Sequence, residues 1–208
     1  VQPTDLGNFA YSTTLPSAKN EVTVLENKDL KLTISNRGGQ PKEVLLKEFK
    51  TYDSLPVYLI KDWNATFNLS FTTAQNQTLS SKDLYFEPTL SENNGNKVLS
   101  MKLKTSENAY LEYVYTLPKE GYMLDVAVRS QGLSGVVNTS KPMNIDWKLQ
   151  ARRMEKSVTY ENRYTQATVQ YDGDRISRLS QGGNDEQKEE KVNWVAYKQH
   201  LFTSVLIS

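Results

Sequence analysis

His200 is the residue best suited by type to proton transfer near neutral pH, and it is the one histidine among 208 residues. Tyr197 lies three residues before it and Ser204 four residues after it, so a helix would bring either onto the same face. A Ser-His pair also needs an orienting carboxylate and an oxyanion hole, and the sequence has no G-x-S-x-G elbow. The sequence therefore predicts a structural or surface role for His200 and no catalytic residue there.

Paired carboxylates are the second candidate for chemistry. Glu186, Glu189 and Glu190 lie beside Lys188 in the stretch Gln181–Lys191, which begins with glycines and is then charged. Carboxylates that cleave glycosidic bonds must be held on a rigid frame at a set separation. This composition instead predicts an exposed loop.

The stretch Asn36–Gly39 superficially resembles a phosphate-binding loop. Neither G-x-x-x-x-G-K-[ST] nor G-x-G-x-x-G is present, and the residues from Gln40 to Phe49 indicate a strand rather than a helix. We therefore interpret Asn36–Gly39 as a turn that requires positive φ.

Composition excludes several classes of site. Without cysteine there are no disulfides and no thiolate metal sites, and a single histidine excludes histidine-rich metal sites. Asp172–Asp174 is too short for a calcium loop and predicts a hairpin turn. Lys and Arg number 25 against 24 Asp and Glu, which argues against nucleic acid as a partner. No catalytic, cofactor-binding or metal-binding residue is predicted, and no cofactor.

The elements that would position any site are strands, because the dominant hydrophobic period is two. Apolar residues alternate with polar ones in the following stretches: Leu30–Ser35, Phe67–Thr72, Leu99–Lys104, Leu111–Leu117, Tyr122–Val128 and Met143–Gln150. Turn-forming residues separate several of these runs, as at Asn93–Asn96 and Lys119–Gly121. The pattern predicts an all-β, antiparallel sandwich.

The domain organisation is predicted to be simple. Residues 1–20 contain Pro3 and Pro16 and few apolar residues, which indicates a linker or a loosely held arm, and residues 21–208 would form one domain. One or two short helices are expected, around Asp53–Leu55 and over Trp194–Phe202. No apolar window reaches the roughly 18–20 residues of a membrane span.

Aromatic residues have two interpretations. Tyr110, Tyr113 and Tyr115 lie in a strand, and core packing is their default role. The aromatic set, which includes Trp63, Trp147 and Trp194, also leaves open a groove for a partner. The sequence does not name the partner-binding residues of such a groove.

Two stretches together carry a family resemblance. Asp29–Gly39, a strand running into an N-x-G-G turn, is followed by a second strand with Val44–Phe49. At the other end, Trp194–Ile207 matches a W-V-A…Q-x-F-x-x-x-x-I pattern. This order resembles the large periplasmic domain of the YidC/Oxa1/Alb3 family of membrane-protein insertases, and Lys50–Asp53 and Asp83–Phe86 resemble its Bacteroidetes branch.

The resemblance implies a twisted β-supersandwich similar to galactose mutarotases. It implies a non-enzymatic domain on the periplasmic face of the bacterial inner membrane, held there by helices outside this chain. The family inserts and helps to fold inner-membrane proteins, and its implied partners are nascent membrane proteins and the Sec translocon (SecYEG and SecDF). The family's groove arginine lies in membrane helices, so Arg37 is not its counterpart, and the family's domain continues past the position of Ser208, so the domain is expected to be incomplete at that end.

Two other classes stay open at this stage. A mutarotase-like enzyme would use His and Glu for proton transfer at a sugar hemiacetal, with His200 the one candidate base. A carbohydrate- or peptide-binding module would use a concave aromatic face. Within the family interpretation, an extended peptide or an apolar ligand is expected in a groove on the sandwich.

Overall fold

The alternation of apolar and polar residues is realised as strands along most of the chain. The computed structural model describes residues 5–180 and 184–208. In chain order, the strands within those ranges are β1 (Val22–Glu26), β2 (Leu30–Ser35), β3 (Pro41–Lys50), β4 (Pro56–Ile60), β5 (Ala65–Thr72), β6 (Thr78–Ser80), β7 (Glu87–Asn93), β8 (Asn96–Lys104), β9 (Tyr110–Leu117), β10 (Asp125–Gln131), β11 (Asn144–Leu149), β12 (Gln166–Tyr171), β13 (Arg175–Ser180), β14 (Val192–Lys198) and β15 (Thr203–Ile207). Helical segments are short: 3-10 turns at Gly7–Thr14 and Ser81–Asp83, and α1 at Val158–Asn162.

The described strands form four antiparallel sheets. Their orders are β1-β2-β3-β4, β10-β9-β8-β7, β11-β5-β6 and β13-β12-β14-β15. Sequence neighbours are mostly sheet neighbours, as expected for strands joined by short turns. The prediction of an all-β, antiparallel sandwich class with few short helices is confirmed.

The chain divides into two compact units. Unit 1 comprises Val1–Glu48 and Ile60–Lys148, and unit 2 comprises Phe49–Leu59 and Leu149–Ser208. Within residues 5–180 and 184–208, no helix has the length and apolar character needed to cross a bilayer. The division into an arm over 1–20 and a domain over 21–208 stays a prediction.

The predicted turns are present, with backbones that explain their residues. Asn94 and Gly95 join β7 to β8 with φ of 51° and 79°, and Asp172 and Gly173 join β12 to β13 with φ of 43° and 83°. Two successive positive φ values define the hairpin turn whose twist matches that of the flanking strands. The turn predictions at these two places are therefore confirmed.

Both helix predictions are wrong. Asp53 lies in a tight turn, where the Thr51 amide donates to the Leu55 carbonyl oxygen at 2.8 Å. Trp194–Phe202 is occupied by β14 and the turn that follows it. A short apolar run does not distinguish a buried strand from a helix, and β14 pairs on both sides, with β12 and with β15.

The core of unit 1 contains the alternating residues of β8 and β9. Leu99, Met101, Leu103 and Tyr113 are fully buried, and Tyr115 is 2% exposed. Tyr110 lies on the other face of β9, where the Lys102 Nζ atom is 4.3 Å from the centre of its ring. Core packing is thus confirmed for two of the three tyrosines.

The strand predicted over Tyr122–Val128 begins later in the structure, where it is β10. The strand begins at Asp125, so Tyr122 and Leu124 precede it instead of extending its apolar face. Val126 and Val128 are on the strand but are 43% and 42% exposed. The alternation at this position therefore predicted a strand correctly and its burial incorrectly.

The two buried tyrosines have different hydrogen bonding. Tyr115 donates its hydroxyl to the Gly39 carbonyl oxygen at 2.6 Å. Burial raises the pKa of Tyr113 to about 12 and a weak contact with Ser81 opposes that rise, but no described residue forms a hydrogen bond of normal geometry with the Tyr113 hydroxyl. The two rings are otherwise comparable in burial.

We expect the two Tyr→Phe variants to differ in the sign of their effect. Tyr115→Phe leaves the buried Gly39 carbonyl without its donor and should lower the free energy of unfolding by about 1–3 kcal/mol. Tyr113→Phe removes a buried hydroxyl without a partner among the described residues, and should be neutral or stabilising by about 1 kcal/mol. Urea unfolding followed by circular dichroism measures both, and an equal loss in the two variants would contradict the assignment.

Candidate functional site

His200 lies in the turn between β14 and β15, where it joins a small aromatic cluster in unit 2. Its Nδ1 atom contacts the Glu155 carboxylate, its ring stacks on Tyr164 at 4.4 Å between centroids, and the Tyr160 ring meets it edge-on at 5.3 Å. Among the described residues, these are the side-chain hydrogen-bond and ring contacts of His200. Ser204, which a helix would have brought onto the same face, is not among them. These contacts tie the turn to Glu155 and to the two tyrosines, and the structural or surface role of His200 stays a prediction.

A buried carboxylate holds the segment that carries Glu155. Glu161 in α1 is 4% exposed, and it accepts hydrogen bonds from the backbone amides of Met154 at 3.0 Å and Glu155 at 3.3 Å. Gln199 donates its side-chain amide to the same carboxylate at 3.3 Å and to the Arg152 carbonyl oxygen at 2.6 Å. Glu161 therefore fixes the loop before α1 against the turn that ends β14. Sequence reasoning missed this role, and Ser157, which caps α1 by accepting from the Tyr160 amide, was the local signal for the helix.

The other sequence candidates have structural or solvent-exposed positions. Residues 184–191 of the charged loop are irregular and largely exposed, with Lys188 and Glu186 paired at 3.7 Å, while residues 181–183 lie outside the described ranges. Arg37 forms an ion pair with Asp83 at 3.4 Å. Among residues 5–180 and 184–208, no three His, Cys, Asp or Glu side chains are grouped as metal ligands would be.

The Asn36–Gly39 turn organises the core of unit 1. Asn36 is 2% exposed and donates its side-chain amide to the Ser17 carbonyl oxygen at 3.1 Å, while its own carbonyl oxygen accepts from the Phe86 amide at 2.8 Å. Gly38 and Gly39 have φ of 84° and 59°. The predicted turn with positive φ is therefore present, and the structure adds that Asn36 is buried within unit 1.

The best candidate for binding is a groove on one face of the sheet β13-β12-β14-β15. It has a volume of about 430 Å³, and its lining residues all belong to unit 2. They are Gln166, Thr168, Ile176, Arg178, Trp194, Ala196, Lys198, Thr203, Val205 and Ile207. We call this feature the Trp194 groove.

The register of the strands arranges these residues in rows that cross the sheet. Trp194 is opposite Ile207 on β15 and opposite Gln170 on β12, which in turn is opposite Ile176 on β13. This is the apolar row. The next row on the same face lies two residues further along each strand. It includes Thr168 and Ala196, which are opposite each other.

The middle row forms the floor of the groove. Thr168 and Ala196 are small, face each other across β12 and β14, and are only 8% and 5% exposed. Ile176, Val205 and Ile207 are 44%, 48% and 57% exposed. The small floor between larger, half-exposed side chains is what makes the face concave.

The third row is polar. Lys198 is opposite Gln166 on β12 and Thr203 on β15. Arg178 extends the floor row to β13, opposite Thr168. Neither basic side chain has an ion-pair partner within the part of the chain that the structure describes.

Unit 2 carries a second groove, of about 400 Å³, whose lining includes Leu179, Ala167 and Tyr197 and shares Gln166 and Lys198 with the Trp194 groove. Burial raises the pKa of the Tyr197 hydroxyl. Its wall includes Asp185, next to residues 181–183, which lie outside the described ranges. We therefore place the candidate site in the Trp194 groove.

The three tryptophans lie in three different structural environments. Trp194 forms a wall of the groove, Trp147 lies on β11, and Trp63 lies in a turn with φ of 62° and 65% exposure. Lys42 Nζ is 5.4 Å from the centre of the Trp63 ring. Of the three, Trp194 is the one that lines the candidate groove.

Comparison with known proteins gives a consistent result. The family model described as YidC periplasmic domain matches residues 22–208. The membrane protein insertase YidC of Porphyromonas gingivalis is 36% identical over 190 residues, which cover 90% of this chain and 30% of that protein. The insertase of the same name from Bacteroides fragilis is 31% identical over 206 residues, covering 98% of this chain and 32% of that protein.

A third relative, the membrane protein insertase YidC of Parabacteroides distasonis, is 34% identical over 190 residues. The aligned part is 90% of this chain and 30% of that protein. The chain thus spans about a third of the length of these curated relatives. The resemblance to the insertase family and to its Bacteroidetes members is confirmed.

Proposed function

Because the chain belongs to the YidC periplasmic domain family, we propose that it serves as a non-catalytic interaction surface within a membrane-protein insertase. In this proposal it faces the periplasm at the bacterial inner membrane. The whole protein would insert inner-membrane proteins and assist their folding, and the domain described here would contact the emerging polypeptide or a neighbouring translocon component. The family match over residues 22–208 is the observation that carries this proposal.

The Trp194 groove is the surface we assign to that contact. Its apolar row, with Trp194 and two half-exposed isoleucines, offers apolar area to a partner, and half-exposed aromatic and aliphatic side chains on a concave face are typical of binding sites. The strands beneath it are paired on both sides along β12 and β14. Such a surface binds an extended segment without having to rearrange.

The absence of catalysis is part of the same proposal. His200 is engaged with Glu155 and two tyrosines, and Glu161 is occupied by backbone amides. Both groups therefore already have structural partners in unit 2. Insertion moves apolar segments by burial and charge and requires no covalent step.

The partners we assign are nascent inner-membrane proteins and, as a second class, the Sec translocon with SecYEG and SecDF. The names of the relatives support the first class, since each is called a membrane protein insertase. The Sec partners follow from the family resemblance. In the experiment below, the mass of the crosslinked product distinguishes the two classes of partner.

We expect a photocrosslinking amino acid at Val205 to capture a nascent inner-membrane protein or a Sec subunit. The experiment uses the full-length insertase in inner-membrane vesicles, with the crosslinker in place of Val205, which is 48% exposed in the groove. Leu90 on β7 is 51% exposed and belongs to unit 1, so it is a matched control for exposure. Products should be several-fold more abundant from Val205 than from Leu90.

A second variant links those products to the groove itself. Trp194→Ala removes the largest apolar side chain of the groove and should reduce the products from Val205 to the level of the control. Equal yields from Val205 and Leu90, or products that survive Trp194→Ala unchanged, would contradict the assignment of this surface.

A further inference from the structure

The two long walls of the Trp194 groove have opposite character. One wall is the apolar row, with Ile176, Trp194 and Ile207 on three different strands. The other wall is the polar row, with Gln166, Lys198 and Thr203. Between them runs the floor, so that a ligand lying in the groove crosses the strands and meets a different chemistry on each side.

The charge of the groove has a single sign. Its lining residues include Arg178 and Lys198 and no Asp or Glu. Both basic side chains are exposed, and neither is paired with a carboxylate among the described residues. A chain that is nearly neutral overall, with a formal net charge of +1, thus concentrates two unpaired cations in one groove.

The dimensions of the groove suit a few residues of extended chain. Four strands at about 4.8 Å spacing give a length of about 14 Å, which about four residues of extended peptide would cross at 3.3 Å each. Side chains of an extended peptide alternate between its two sides. Successive residues would therefore meet the apolar wall and the polar wall in turn, with Lys198 in the polar wall and Arg178 at the β13 end of the floor.

We propose that the Trp194 groove binds extended peptide segments in which apolar and acidic residues alternate. This inference rests on the proposed function of the groove and adds the chemical class of its occupant. The apolar residues pack on Trp194 and its row, and the acidic ones lie beside Lys198 and Arg178. The polar wall and Thr168 also provide hydrogen-bonding groups along the full length of a peptide.

The same features favour a peptide over a lipid. A fatty acid carries its charge at one end, whereas the basic groups here lie at different points of the groove, Arg178 on β13 and Lys198 on β14. Gln166 and Thr203 extend the polar wall from β12 to β15. An acyl chain would leave most of that wall without a partner.

The test is direct binding of labelled peptides to the 208-residue chain. Three short capped peptides, GVELDVEG, GVKLKVKG and GVSLSVSG, carry fluorescein and are titrated by fluorescence anisotropy at low ionic strength. We expect the acidic peptide to bind at least about tenfold more tightly than the lysine peptide, because two attractive contacts are replaced by two repulsive ones. The preference should diminish as salt is raised, since both cations are exposed.

Charge reversal assigns the preference to these two residues. The double variant Arg178→Glu with Lys198→Glu should prefer the lysine peptide, and circular dichroism checks that it is folded. Lys188→Glu is the matched control, because its side chain is 90% exposed in the charged loop and does not line the groove. The control should keep the preference of the unmodified chain.

The outcomes separate this inference from the proposed function. Equal binding of acidic and lysine peptides overturns the charge preference and leaves a peptide-binding groove. No binding of any of the three peptides overturns the assignment of a peptide to the groove, whereas crosslinking from Val205 tests the proposed function separately. Laurate is titrated in parallel by isothermal calorimetry. A preference that survives the double variant, or binding of laurate without binding of any peptide, overturns the assignment of an acidic peptide to this groove.

Discussion

Replacing Phe9 by alanine is expected to lower the free energy of unfolding by about 3–5 kcal/mol, the usual cost of removing a buried phenyl ring. Phe9 is fully buried although it lies in the stretch for which the sequence indicates a loosely held arm. Its ring packs on Phe71 of β5 with centroids 5.0 Å apart, and Phe71 is itself 1% exposed. The variant would leave a cavity beside β5, and the surrounding sheet can collapse into it only in part.

The control for Phe9 is in the same 3-10 turn. Tyr11 is 36% exposed, so Tyr11→Ala changes the local helical propensity in a similar way without opening a buried cavity. We expect it to cost less than about 1 kcal/mol, as is usual for surface positions. Urea unfolding followed by far-ultraviolet circular dichroism measures both variants. If Phe9→Ala cost no more than Tyr11→Ala, Phe9 would not be packed against Phe71 of β5 in solution.

The second large effect is expected at Gly39, where Gly39→Ala should lower the free energy of unfolding by about 2–4 kcal/mol. The residue has φ of 59°, a conformation that costs an L-residue about 1–2 kcal/mol. A Cβ atom there would lie 3.1 Å from ring carbons of both Phe86 and Tyr113. Those rings are fully buried, so they cannot move aside without further loss of packing.

Gly121 separates the backbone part of that effect from the packing part. It has φ of 90°, and a Cβ atom there would meet no described atom within 4 Å. Gly121→Ala should therefore cost only the conformational part, about 1–2 kcal/mol. The difference between the two variants in urea unfolding reports the contact with Phe86 and Tyr113. Equal costs would mean that the second glycine of the N-x-G-G turn is needed for its backbone alone.

The stability variants and the binding variants change residues in different units of the chain. Phe9 and Gly39 belong to unit 1, whereas the Trp194 groove is built from unit 2. Groove variants such as Trp194→Ala change half-exposed side chains and should leave the core of unit 1 intact. Binding and stability can thus be tested by independent substitutions in one chain.

Several features of the fold could be predicted because their causes are local. The alternation in Leu99–Lys104 and Leu111–Leu117 predicts strands β8 and β9 and their buried faces. The residues Asn94-Gly95 and Asp172-Gly173 predict tight turns, since they tolerate positive φ. A strand face or a tight turn restricts the residue types at its own positions, so it can be recognised in the sequence.

Other features could not be predicted because distant strands create them. The Trp194–Phe202 stretch fits a helix as well as a strand by composition, and pairing with β12 and β15 decides for the strand. Glu161 looks like an ordinary charged residue in the sequence, but it is buried because it satisfies the Met154 and Glu155 amides. Phe9 is similar, since only its contact with Phe71 distinguishes it from other residues of a polar segment.

The sequence by itself determined the all-β class, the turns, the absence of thiol and histidine-rich chemistry, and the resemblance that the family match confirms. The groove was decided by tertiary structure alone. Trp194 is paired with Ile207 and lies in one row with Ile176, across Gln170, because the registers of three antiparallel pairings align them. Register depends on which strands meet and how they are aligned, and shifting one strand by a single residue would turn its side chains to the other face.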